Sequence, residues 1–197
     1  MNVHGLDKLL NPKRIAIAGV TINPNSVGGK VLSNLVGGAF NGAVYPVNPV
    51  SEAIMGVPCY PDLSSVPRKP DLVIVCAAAE KVPALIGECG DLGVEGVIVM
   101  SAGFGESGPD GVLLSASLRE QISRYPDMRV LGPNCLGIIV PGINLNASFA
   151  HEITLKGHVA FVSQSGALCT SVLDWARDEK IGFSYFVSIG NALDVDF

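Results

Sequence analysis

The chain lacks several features that would direct its function. It has no excess of positive charge: 13 Lys and Arg stand against 18 Asp and Glu, for a net charge of −5. Binding to a phosphate backbone normally needs a basic face, so the charge gives no reason to expect nucleic acid as a partner. Charged residues make up only 16% of the chain, too few for a disordered segment kept in solvent by its charge. No apolar run approaches the roughly 18 residues of a membrane span. The start, Met1 to Leu10, carries Asp7 and Lys8 and has no apolar signal stretch, so no membrane contact and a cytoplasmic location are expected. The cysteines at 59, 76, 89, 135 and 169 are odd in number and contain no CxxC pair, and no histidine cluster of zinc type accompanies them. Reduced thiols, no metal site and no disulfide framework follow.

What is present is aliphatic and turn-rich: 48% hydrophobic residues with 23 glycines, the profile of a buried parallel sheet. Arg14-Ile-Ala-Ile-Ala-Gly19 is a short apolar run ending in glycine. A polar turn follows, then Lys30–Val36 at helical spacing, which gives strand, loop, helix. The alternation recurs, with strands near Ala43–Val47, Leu72–Cys76, Val94–Met100 and Met128–Leu131. Helix-like stretches fall at Val82–Asp91 and Asp110–Tyr125. Strands buried on both faces read as continuous aliphatic runs, and right-handed βα units build an open sheet with ligands at the strands' carboxyl ends. The fold class is therefore α/β, with a Rossmann-like parallel sheet.

From Val140 to Lys156 the pattern lapses into a turn-rich crossing around Pro141-Gly142-Ile143-Asn144, and a new unit opens with a strand at His158–Val162. A helix over Gly166–Lys180 and a strand at Phe183–Ile189 complete a βαβ unit. The division falls at 1–145 and 146–197. A lone βαβ is too small for a stable α/β domain, so the second unit reads as the truncated beginning of a larger one.

Candidate chemistry lies in the loops after the strands. Gly19-Val-Thr-Ile-Asn-Pro-Asn-Ser-Val-Gly-Gly29 joins the first strand to the first helix, where free amides and the positive helix end can receive a phosphate. Asn25 or Ser26 can cap that helix. The loop does not match the Walker pattern, because Pro24 stands in place of its first glycine. The second strand ends Tyr45-Pro-Val-Asn-Pro49, without the acid that holds a dinucleotide's ribose, which disfavours NAD.

Three later segments complete a set: Ser101-Ala-Gly-Phe-Gly105, Leu131-Gly-Pro-Asn-Cys-Leu-Gly137 and Phe161-Val-Ser-Gln-Ser-Gly-Ala-Leu168. In this order they resemble the NDP-forming acyl-CoA synthetases: the α subunit of succinyl-CoA synthetase, more closely the ADP-forming acetate–CoA ligases, and the acyltransferases that carry the same module. The resemblance runs from about Leu9 to Asp196.

It implies a CoA-binding Rossmann-like domain followed by the start of a flavodoxin-like, succinyl-CoA synthetase-like domain, with coenzyme A as ligand. On the matching positions, Gly19, Thr21, Asn25, Ser26, Val27 and Gly28 would cradle the CoA phosphates, and Val47, Asn48 and Pro49 would line the adenosine side. Ala77, Ala78 and Ala79, with Ser101, Ala102, Gly103 and Phe104, would flank the pantetheine arm. Their small side chains would leave room for it. Asn134 and Cys135 mark where the thiol approaches the chemistry. Ser163, Gln164, Ser165 and Gly166 match the junction whose helix aims its amino end at phosphate or phosphohistidine.

Two departures have consequences. Relatives often carry a lysine after the Asn-Pro of the second strand, where this chain has Val50-Ser51, so phosphate affinity is expected to be weaker. The family's phosphorylated histidine would lie beyond Phe197; His4, His151 and His158 do not match it, and no catalytic residue is assigned. Trp175 reads as core. ATP, ADP and Mg²⁺ would belong to an ATP-grasp β subunit or domain, and this piece would bind CoA without turnover. Self-association is expected from the open edge of the second unit. A second reading is a non-catalytic CoA or acyl-CoA-binding regulatory module of a protein lysine acetyltransferase. A third is an NAD-dependent dehydrogenase.

Overall fold

The computed structural model describes residues 6–151 and 154–197, so His4 lies outside the described residues. A short helix α1 (Leu6–Leu10) leads into β1 (Arg14–Ala18), α2 (Val27–Gly37) and β2 (Ala43–Val47). The short strands β3 (Ala53–Ile54) and β4 (Val57–Pro58) form a small hairpin. They are followed by β5 (Leu72–Val75), α3 (Val82–Asp91), β6 (Gly96–Val99), α4 (Pro109–Ser123) and β7 (Arg129–Leu131). Five of these strands make one parallel sheet in the order β2-β1-β5-β6-β7. The chain order reverses between β1 and β5, so the loops leaving their carboxyl ends open a crevice there.

The sheet is covered on both faces, as its sequence requires. Ile15 and Ile17 of β1 point to a cluster with Val31, Leu32 and Leu35 of α2, while Ala16 and Ala18 point to one with Ile86 of α3 and Leu118 of α4. This is the period-2 alternation of a strand. Each aliphatic side chain of this size, fully buried, contributes about 1.5–3 kcal/mol relative to exposure.

The stretch expected as a turn-rich crossing contains a hairpin, β8 (Gly137–Val140) and β9 (Leu145–Ser148). It joins β10 (Lys156–Ser163) and β11 (Phe183–Ser188) in a second sheet of order β10-β11-β8-β9, with α5 (Gly166–Asp178) crossing between β10 and β11. The hairpin thus straddles residue 145 and belongs by its hydrogen bonds to the second sheet. Phe161, Phe183 and Phe186 pack together there, with the Phe161 and Phe186 rings stacked at 4.7 Å.

Two devices tie the sheets together. The Asn34 side-chain amide on α2 donates to the carbonyls of Ser148 (2.8 Å) and Ala150 (2.7 Å). Residues 191–195 then run as a strap along β7: the amides of Asn191, Leu193 and Val195 donate to the carbonyls of Pro133, Gly132 and Val130. Asp194 accepts from the Val130 amide at 2.8 Å and pairs with Arg129 at 3.4 Å. The strap covers the sheet edge beyond β7. Trp175 differs from expectation: it is 56% exposed, because it lies off the stripe of Cys169, Val172, Leu173 and Ala176 by which α5 packs into the second core. No helix among the described residues is long and apolar enough to cross a membrane.

Candidate functional site

The first loop is built around glycines that other residues cannot replace. Gly19 has φ +87°, and a Cβ there would stand 2.7 Å from the Ala77 nitrogen, so the tip of β1 passes directly against the tip of β5. At Gly28 a Cβ would meet the Val20 Cα at 2.9 Å, which lets α2 start tight against the loop. Ser26 is the N-cap of α2: its hydroxyl accepts from the Gly29 amide at 3.1 Å and donates to the Asn23 carbonyl at 2.7 Å. The Ser26 proton is thereby committed, so the Thr21 hydroxyl, 3.0 Å away, is the donor in their contact. Asn25 is exposed, its amide held by the Asn23 side chain at 3.0 Å. From Gly19 to Ser51 the chain carries no Asp or Glu and one lysine, Lys30. A protein of net negative charge thus presents an acid-free loop at a helix N-terminus.

Val47 is buried at the end of β2, and Asn48 locks the next loop. The Asn48 side chain donates to the Val20 carbonyl at 2.7 Å and accepts from the amides of Val50 (2.9 Å) and Ser51 (3.2 Å). Its polar atoms hold the two loops together, while Pro49 and Val50 stand exposed beside them.

After β5, Ala77 is half-buried, Ala78 exposed and Ala79 buried. Ser101, after β6, donates to the Ala77 carbonyl at 2.6 Å. Ala102 is exposed, Gly103 takes φ +110°, and Phe104 is fully buried in the core between α3 and α4. Phe104 therefore anchors its loop from below.

Gly132 and Pro133 are joined by a cis peptide bond, and the Asn134 amide donates to the Ser101 carbonyl at 2.9 Å. Cys135 is buried and donates to the Val99 carbonyl at 3.3 Å. Burial pushes the Cys135 thiol up to about 12, and that of Cys76 likewise to about 12, with Cys135 adding to the shift on Cys76. Both are neutral thiols rather than nucleophiles.

At the other wall, Ser163 accepts from the Ser165 amide at 3.1 Å, and Ser165 caps α5 by accepting from Leu168 at 3.2 Å. The N-termini of α2 and α5 meet across one cleft of about 550 Å³. Of the residues singled out in the sequence, Val27, Ala77, Ser101, Ala102, Asn134, Cys135, Gln164 and Gly166 line it. Gly19, Thr21, Asn25, Ser26 and Gly28 shape the loop that delivers Val27. Val47, Asn48 and Pro49 lie outside the lining, as do Ala78, Ala79, Gly103, Phe104, Ser163 and Ser165. His158 is exposed on β10, and His151 lines a separate cavity of about 280 Å³ with Thr170 and Asp174.

Several contributors escape a reading of loops alone. Cys76, Met100, Leu136, Phe149 and Ala167 complete the lining. Glu106 accepts from the amides of Gly103 (2.7 Å) and Phe104 (3.0 Å), and its other oxygen accepts from the Asn191 side chain at 2.5 Å. Burial raises the Glu106 carboxyl, but the Asn191 side chain and the backbone amides outweigh it and leave it below its usual range. Its spacing from Gly103 is that of a capping box, in which an acid reaches back to an amide at the head of a turn, and this was the available signal. Among the described residues no three His, Cys, Asp or Glu side chains are grouped to hold a metal ion.

Comparison with known proteins gives this geometry a context. Residues 13–141 match the family model described as a CoA binding domain, and residues 156–197 match one described as a succinyl-CoA ligase like flavodoxin domain. ADP-forming acetate–CoA ligase I of Archaeoglobus fulgidus is 41% identical over 97% of this chain and 27% of its own length. The α subunit of ADP-forming acetate–CoA ligase II of Pyrococcus furiosus is 42% identical over 98% of this chain and 41% of its own. The solved dinucleotide-forming acetyl-coenzyme A synthetase 1 of Ca. Korarchaeum cryptofilum, in complex with phosphate and ADP, superposes with a TM-score of 0.91 at 40% identity. That match covers 97% of this chain and 40% of the other. The chain thus spans less than half the length of each of these relatives.

Proposed function

Because this chain belongs to the CoA binding domain family through residues 13–141, we propose that its cleft binds coenzyme A. On this reading it supplies the CoA-binding part of an ADP-forming acid–CoA ligase. The observation that carries the proposal is the convergence, at the sheet's switch point, of an acid-free glycine loop and two helix N-termini on one cleft with a small-residue lining. The alternation of glycine and apolar loops suits a ligand with phosphates at one end and a thin arm at the other.

In this proposal the first-turn amides of α2, at Val27 and Gly28, hold the pyrophosphate, since a helix's first N–H groups have no intrahelical acceptor. Gly19, Thr21, Asn25 and Ser26 shape that turn, and Val47, Asn48 and Pro49 border the adenosine. Ala77 to Ala79 and Ser101 to Phe104 form the channel for pantetheine, with Asn134 and Cys135 beside the thiol. Ser163, Gln164, Ser165 and Gly166 present α5 to a second anion, the phosphoryl group of an acyl phosphate or phosphohistidine. The chain's own work is then to orient the thiol and exclude water around it. The functional division is taken as 1–145 for CoA and 146–197 for the phosphoryl group.

The phosphorylating chemistry would come from an ATP-grasp subunit or domain holding ATP and Mg²⁺. The five free thiols suit a reducing cytoplasm. The exposed apolar side chains Val159, Val162 and Trp175 of the second unit are the proposed points of association with that partner or with a second copy. Titration calorimetry with CoA, dephospho-CoA and NAD tests the ligand. CoA should bind best and dephospho-CoA modestly weaker, given Val50 in place of a lysine. NAD binding as tightly as CoA overturns the proposal.

A further inference from the structure

Resting on that reading, we infer that Glu106 and Asn191 are positioning residues that hold the walls of the cleft in register for the arm of the ligand. The hydrogen bonds form one connected path. One Glu106 oxygen gathers the amides of Gly103 and Phe104, and the other takes the Asn191 side-chain amide. The Asn191 oxygen in turn accepts from the Asn134 side chain at 3.3 Å, and its backbone amide donates to the Pro133 carbonyl at 2.8 Å. Asn134 returns to the Ser101 carbonyl at 2.9 Å, and Ser101 to the Ala77 carbonyl at 2.6 Å. The tips of β5, β6 and β7 are thereby linked to the strap that follows the second sheet.

Three features separate this path from ordinary packing. Glu106 is exposed, so it adds little to the core, yet its carboxylate accepts from the Gly103 and Phe104 amides and the Asn191 side chain, donors that belong to the loop backbone and the strap. Gly190 has φ +56°, and a Cβ there would lie 2.7 Å from the Asn134 oxygen, so the chain is brought as close as glycine allows to put Asn191 in reach. Ala77, Ser101 and Asn134, which the path connects, all line the cleft, as does Ala102 between Ser101 and Gly103. Loops aligned before binding lose less freedom when a flexible arm enters between them. The path acts on the arm's end of the cleft; the phosphate turn at Gly19–Gly28 does not belong to it.

The test is calorimetry on the full chain with CoA and with adenosine 3′,5′-bisphosphate, which lacks the arm. Glu106→Ala removes the acceptor, and Asn191→Asp sets two carboxylates against each other. Each should weaken CoA about tenfold, the affinity change that about 1.4 kcal/mol produces, and leave the bisphosphate within about twofold. The exchange Glu106→Gln with Asn191→Asp restores a donor facing an acceptor, because the glutamine amide donates to the new carboxylate while its oxygen keeps the two loop amides. CoA affinity should return to within about threefold of the original, a rescue that a loss of folding would not show. If the unaltered chain binds CoA and both single variants bind it equally well, or the exchange fails to rescue them, the positioning role is overturned alone. If the unaltered chain does not bind CoA, the functional reading falls and this inference with it.

Discussion

A β-carbon at Gly19 would meet the Ala77 backbone at 2.7 and 2.8 Å in a left-handed conformation, whereas one at Gly37, the last residue of α2, would meet nothing within 4 Å. Opposite outcomes follow for one chemical change. Gly19→Ala must push the tips of β1 and β5 apart and is expected to cost about 1–3 kcal/mol and most of the CoA affinity. Gly37→Ala removes helix-end backbone freedom and is expected to stabilise by up to about 1 kcal/mol with affinity unchanged. Urea unfolding and calorimetry on the two variants check both signs. Cys135 makes a complementary case. Its thiol is neutral and hydrogen-bonded to a carbonyl, and a serine hydroxyl can make the same bond. Cys135→Ser should therefore hold CoA within about threefold, by calorimetry, because the side chain shapes the floor and performs no chemistry.

At the scale of the element, the N-terminus of α2 separates capping from charge. Ser26→Ala loses the bond to the Gly29 amide and should cost about 1 kcal/mol. Ser26→Asp keeps a good cap, so its melting temperature should stay near that of the unaltered chain, while the added negative charge beside the phosphate turn should lower CoA affinity at least about tenfold. Thermal melts run alongside calorimetry distinguish the two losses. The elements themselves were legible in the sequence to different depths. Strands β1, β5 and β6 could be read because both faces are buried, which leaves uninterrupted aliphatic runs such as Leu72-Val-Ile-Val75. The β8–β9 hairpin could not, although its own pairing is local, because the sheet it joins is completed only through β11, far along the chain, as in Ile139 with Phe186. Pro141-Gly142 between its strands reads as the start of a crossing. The site divided in the same way. Loops after strands carry local marks, glycines and caps, that point to a ligand at the strand ends, while Val27, Ala77, Ser101 and Asn134 are picked out only by the resemblance to the acyl-CoA synthetases. Glu106 acquires its role from Asn191, a contact 85 residues away that no window of sequence contains. Trp175 reads as core because aromatic residues on helices usually are, and its exposure follows from its place off the packed stripe of α5.

For the whole molecule, binding and stability are placed at opposite ends of the parallel sheet. The cleft sits at the carboxyl ends of the strands, while Asp71 sits at the amino ends of β5 and β1. There its carboxylate accepts from the amides of Lys13 and Arg14, both at 3.0 Å, and pairs with the Arg14 guanidinium at 2.7 Å. Burial of Asp71 opposes its ionisation. The Arg14 side chain and the two amides outweigh that and hold the carboxyl below its ordinary value of 3.8. In the unfolded chain the group returns to that ordinary value, so between the two the unfolded state binds more protons and stability rises with pH. The contribution of Asp71 is therefore fully present above the unfolded value and is lost as pH falls through the lowered folded one. Asp71→Asn keeps the shape but removes the charge. It should lower stability at pH 7 by about 1.5–3 kcal/mol, the range for hydrogen bonds to a charged group. The difference between the two proteins should shrink below pH 4 and vanish once the native carboxyl is protonated. Urea titrations from pH 7 down to pH 3 measure it. Because Asp71 is a sheet's length from the cleft, CoA affinity at pH 7 should be unchanged in the variant; a gap in stability that persists undiminished at pH 3 would show that the carboxylate's charge is not what joins those strand ends.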